Sequence, residues 1–129
     1  MTGVVLLTCL VALLSTGCAT DRKKVDDANR AATSWAATVK VITEQWAQAR
    51  VSLRFTRTTL NTARTRLSQS AASIRSIDPQ SAARIDRLNN AIDPVMDAVA
   101  MNEPDLARDR GRILTTIVEP EPVAAQARP

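Results

Sequence analysis

Sixteen positions, stepping alternately by three and four residues, carry an apolar seam through the middle of this chain. They run from Val25 through Ala28, Ala32, Trp35, Val39, Ile42, Trp46, Ala49, Leu53, Thr56, Leu60, Ala63, Leu67, Ser70 and Ile74 to Ile77. Only Thr56 and Ser70 interrupt it. Such spacing returns to one stripe of an α-helix and to neither face of a strand. No Gly or Pro lies between Arg22 and Asp78, so an unbroken helix there would be about 80 Å long. The pattern serves equally as the core face of a helical bundle or as the seam of an oligomeric coiled coil. Thr56, Thr58, Thr59, Thr62 and Thr65 have poorer helix propensity, and a bend is expected among them.

Proline punctuates the rest of the chain. Ile77-Asp78-Pro79 ends the long helix and starts another, Asp being a favoured N-cap and Pro suiting the first helical position. Ile85, Leu88, Ile92, Val95 and Val99 keep the three-four spacing, and Asp93-Pro94 predicts a kink or a split. Asn102-Glu103-Pro104 opens a short final helix with Leu106, Arg110, Ile113 and Ile117 on its stripe and Leu114 beside it. From Glu119 onward three prolines and no apolar period predict a disordered tail. The fold class expected is all-α: a long heptad-patterned helix packed with two or three shorter ones, as a small bundle or coiled coil.

Composition agrees. Tyr and His are absent, only three glycines occur in 129 residues, and Trp35, Trp46 and Phe55 are the aromatics. Without His there is no imidazole proton shuttle or metal ligand, and no Ser-His-Asp triad can be built. Asp93 with Asp97, and Asp105 with Asp109, stand four apart, but two carboxylates make a weak cation site. Neither catalysis, a metal nor a cofactor is expected.

The amino-terminal segment gives the clearest statement about location. Val4 to Leu14 is an apolar run too short for a comfortable membrane span, and Leu14-Ser15-Thr16-Gly17-Cys18 closes it with small residues leading to a cysteine. The stretch resembles the lipobox of a bacterial lipoprotein signal peptide. That resemblance implies removal of residues 1–17 and lipidation of Cys18, with 18–24 as lipidated cysteine and charged tether, 25–118 as helical domain and 119–129 as tail. A lipid on the first residue followed by a long heptad helix looks like the plan of murein lipoprotein, a tether between outer membrane and cell wall. This chain lacks a terminal Lys for attachment to the wall and ends Ala127-Arg128-Pro129. Ala19, rather than an Asp resembling an inner-membrane retention signal, follows Cys18. The location implied is the outer membrane, facing the periplasm. No Lys or Arg precedes the apolar run while Arg22-Lys23-Lys24 follows it, so an uncleaved anchor would instead leave the chain facing the cytoplasm. An ordinary cleaved secretory signal is a third possibility.

The later helices together are shorter than the seam, so a straight first helix would leave part of its stripe bare. Trp35, Val39, Ile42 and Trp46 then become candidates for an interface with a protein partner or a second copy. If instead the helix folds back near the threonines, a four-helix bundle results and the tryptophans are core residues. Between Gln45 and Ile77 there are six arginines and no acid. Arg50, Arg57 and Arg64 fall seven apart beside the seam, where they could pair with Asp86, Asp93 and Asp97 or contact an anionic lipid surface. Nucleic acid is not expected, since base-stacking aromatics are scarce and the leader exports the chain. These features together predict a non-enzymatic, lipid-anchored envelope protein, an accessory or scaffolding subunit acting through helix-mediated interaction. The alternatives are a self-associating spacer or an uncleaved regulator facing the cytoplasm.

Overall fold

The computed structural model describes residues 2–118, with side chains from Gly17 onward. The expected tail at 119–129 lies outside the described residues, as do the side chains of the lipobox up to Thr16. Four helices follow one another: α1 (Thr2–Ala47), α2 (Leu53–Ile74), α3 (Pro79–Ala100) and α4 (Pro104–Val118), with no strand among the described residues. Each helix packs against its chain neighbours and α4 closes the ring on α1, while α1 and α3 meet only slightly across the diagonal. Short connections at 48–52, 75–78 and 101–103 make the order up-down-up-down. Stretch 18–24, expected as a tether, is helical and continuous with α1.

Most seam positions are buried or half-buried on α1 and α2, but the chain reverses between Ala47 and Leu53, where Ala49 and Leu53 are exposed. Ala49 adopts a left-handed φ of 58°. Its amide donates to the Trp46 carbonyl and the Arg50 amide to the Gln45 carbonyl, the paired bonds of a Schellman ending. Ser52 then caps α2, its hydroxyl accepting from the Phe55 amide at 3.1 Å. No break occurs among the threonines, which lie within the continuous α2. Thr56, Thr59, Thr62 and Thr65 each donate a hydroxyl bond to the carbonyl four residues back, at 2.9 to 3.1 Å, and so stay within an intact helix.

At the far end of α2, Asp78 caps α3 by accepting from the Ser81 amide at 3.1 Å and the Ser81 hydroxyl at 2.8 Å. These bonds, the backbone one foremost, hold its carboxyl below the ordinary Asp value. Pro94 neither splits nor ends α3. It lacks the N–H that would reach the Asn90 carbonyl, and both residues are exposed, so the gap faces water. Asn102, at φ 56°, ends α3 by the same paired bonds as Ala49, with the Glu103 amide reaching the Ala98 carbonyl.

The core runs the length of the bundle through Val39, Leu60, Leu67, Ile74, Ile85, Leu88, Ile92, Val95 and Leu114, all essentially inaccessible to solvent. On α4 the buried stripe is Ala107, Gly111 and Leu114, rotated from the expected Leu106, Arg110, Ile113 and Ile117, and Ile113 is exposed. Gly111 explains the rotation. A Cβ there would collide with the Thr43 hydroxyl, so glycine lets α4 approach α1 where any larger residue would hold it off. Thr43 is fully buried and donates to the Val39 and Lys40 carbonyls of its own helix at 2.9 and 3.0 Å.

Candidate interaction surface

Cys18 carries an exposed free thiol on α1, and every residue from Gly17 to Lys24 is exposed. Among the residues with described side chains Val25 is the first to pack against the core and Ala28 the first fully buried. The helical segment before Val25 holds the thiol about 10 Å from that contact along the axis. Among the described residues no helix is long and apolar enough to cross a membrane.

The four apolar interface candidates of α1 do not form a bare seam. Val39 and Ile42 are buried in the common core, and Trp35 and Trp46 are half-buried against it. Folding back at Ala49 supplies the missing cover, since α2 and α4 flank α1 on either side.

The three arginines are separated by the same turn. Arg50 sits in the 48–52 connection, whereas Arg57 and Arg64 are exposed on α2. Arg64 pairs with Asp93 of α3 at 3.1 Å and Arg75 with Asp86 at 2.8 Å, so two of the expected acids are engaged. Asp97, one turn further along α3, is in no ion pair among the described residues, and neither are Arg50, Arg54 and Arg57. Side chains at both ends of the Arg64–Asp93 pair remain about half exposed, at 44 % and 50 %. Such pairs contribute little stability. On the other side of the bundle Arg112 reaches Glu44 of α1 at 3.2 Å, and Arg110 donates to the Pro94 carbonyl at 2.7 Å. Asp105 and Asp109 are occupied by Arg108 and Arg112 one turn on, at 3.1 and 3.9 Å. Among the described residues no three His, Cys, Asp or Glu come together as a metal site.

No family model, curated protein or solved structure matches this chain. Its surface must therefore speak for itself.

What sequence reasoning missed lies at the end of the bundle where α1 meets α2 and α3 meets α4. Trp46, Ala47, Ala49 and Val51 line a shallow groove there with Asn102 and Pro104. Leu53, Phe55 and Met101 stand at the same end, 37 %, 56 % and 56 % exposed. Arg50 and Arg54 flank this apolar surface and Arg57 follows one turn down α2. Ser52, a favoured N-cap residue type just before Leu53, was the sequence signal that could have located the turn and hence this end.

Proposed function

We propose that this chain is a small lipid-anchored protein of the bacterial envelope, acting as an accessory or scaffolding subunit through contacts made by its helical bundle. The observation that carries the reading is Cys18: a cysteine closing an apolar run of signal-peptide length, with its thiol exposed on a helical stalk well ahead of the first buried residue. An acyl anchor there would leave the bundle free to engage another protein, and two or more chains would be needed to hold it at the membrane. The outer membrane, with the bundle in the periplasm, is the location this reading favours. A self-associating spacer has less to recommend it, because the seam that would drive association is covered by the chain's own α2 and α4. The uncleaved, cytoplasm-facing anchor keeps one observation in its favour: α1 runs without a break from Thr2 into the bundle.

Labelling cells with palmitate distinguishes the two. The full chain should incorporate label and fractionate with membranes, while Cys18→Ser should take up none. Membrane association without label in either form would overturn lipidation and favour the uncleaved anchor.

A further inference from the structure

We propose that the end of the bundle furthest from Cys18 docks an acidic segment of a partner protein that inserts an apolar side chain between the arginines. This rests on the anchored reading and gives its partner a chemistry. From Cys18 to Ala47 α1 rises about 44 Å, so an anchored bundle presents this tip away from its own membrane. The headgroups of that leaflet are therefore poor candidates for Arg50, Arg54 and Arg57.

Local stability does not account for these arginines. The first turn of α2 contains no acid, and Arg54 and Arg57 lie near a helix N-terminus, where the macrodipole disfavours cations. Their charge adds to the positive pole of the helix instead of cancelling it. Arg64 of α2 and Arg75 at its C-cap are paired with acids of α3, whereas the cluster of Arg50, Arg54 and Arg57 at the tip, like the single Arg66 further down, is in no ion pair among the described residues. Glu44 lines a pocket with Arg50 but pairs with Arg112, and Asp97 and Glu103 on the α3 side are exposed; none of the three pairs with the tip arginines. The α1–α2 rim thus carries three arginines in no ion pair among the described residues, with exposed Leu53 and Phe55 in the first turn of α2 and exposed Met101 at the same end of the bundle.

Aromatic, Met and Arg side chains without Lys are the composition that marks interface cores. Charge complementarity selects an acidic occupant, and the exposed apolar residues require that it also carry a hydrophobic anchor. A second copy fits less well, because an isologous contact centred on this rim sets its arginines against those of the other copy.

The test uses the full chain in its own membranes with a photo-crosslinking residue at Phe55, and in a parallel sample at Ser68, an exposed position further down α2. The crosslinked peptide is sequenced. The expected product at Phe55 is a peptide of another protein with several Asp or Glu beside an apolar residue, and Ser68 yields little. The triple change Arg50→Gln, Arg54→Gln, Arg57→Gln should lower that yield about tenfold, as loss of steering and pairing charges does, while its thermal melt matches that of the unaltered chain. An adduct to lipid, to a second copy or to a peptide without acids overturns the proposal. So does a yield at Phe55 no greater than at Ser68, or one indifferent to the three arginines. Palmitate labelling of the same samples separates the two readings. A lipidated chain with no adduct at Phe55 overturns the docking and leaves the anchor, whereas an unlipidated chain with the acidic adduct does the reverse.

Discussion

Replacing Gly111 with Ala should destabilise the bundle even though alanine is the better helix former. In an exposed helix interior the change would gain about 1 kcal/mol. Here the new Cβ meets the Thr43 hydroxyl at a distance that real Cβ atoms do not tolerate. Thr43 cannot easily yield, being fully buried with its hydroxyl committed to the Val39 and Lys40 carbonyls. Either α4 moves off α1 or Thr43 leaves its rotamer and its bonds. Overpacking of this kind costs roughly 1–3 kcal/mol, and disturbing a buried hydroxyl adds about 1 more. Set against the helical gain, the net loss is about 2 kcal/mol, or a fall in Tm of roughly 10 °C for a domain this size. Thr43→Ala removes the obstruction. The Cβ of residue 43 then stands 3.4 Å from the new methyl group, an ordinary contact. Gly111→Ala combined with Thr43→Ala should therefore be more stable than the sum of the single changes by at least about 1 kcal/mol. Thermal and urea unfolding of residues 19–129, followed by circular dichroism, measures all four corners of the cycle. Additivity within about 0.5 kcal/mol, or a Tm raised by Gly111→Ala alone, would refute close α1–α4 contact at this point.

Other perturbations probe the remaining structure. Ala49→Gly relieves a left-handed residue that carries a Cβ and should raise stability by about 0.5–1 kcal/mol in urea titration; a loss would mean that α1 does not end there. Trp35→Ala and Trp46→Ala should each lower unfolding stability by about 2 kcal/mol, less than a fully buried Trp, because both indoles pack on the core while half exposed. Association without destabilisation in the unaltered chain, abolished by these changes, would restore the bare-seam interface. For Asp78 the folded carboxyl is held below its ordinary value, so its stabilisation is present above the unfolded value and lost as pH falls through the lowered one. Asp78→Asn keeps a competent cap without the charge and should flatten the acid limb of a stability-against-pH curve, whereas an unchanged limb would show that the cap charge is not stabilising.

The heptad seam made the helical character legible, and Asp78-Pro79 and Asn102-Glu103-Pro104 marked two of the three turns, because capping chemistry is local. A fold-back into a four-helix bundle is one of two readings of the sequence, but its place at 48–52, ahead of the threonines, was not recognised. Ala49 occupies a conformation usually given to Gly or Asn, and the three-four rhythm steps across 48–52 without losing phase. That turn decides between the two readings by burying Val39 and Ile42 in the core, and it places Arg50 at the tip instead of in line with Arg57 and Arg64. Pro94 predicts a kink or a split, and the split does not occur, since its solvent-facing position lets the helix continue. The Gly111–Thr43 contact is a tertiary coincidence of two helices, and no pattern within either one encodes it.

Whether Cys18 is the first residue of the mature protein and bears its anchor is read directly from the intact mass of the chain extracted from its own membranes. Loss of the 17 residues before Cys18, about 1.7 kDa at roughly 0.1 kDa per residue, is expected, with lipid added to what remains. A mass that retains Met1 and carries no lipid would contradict it.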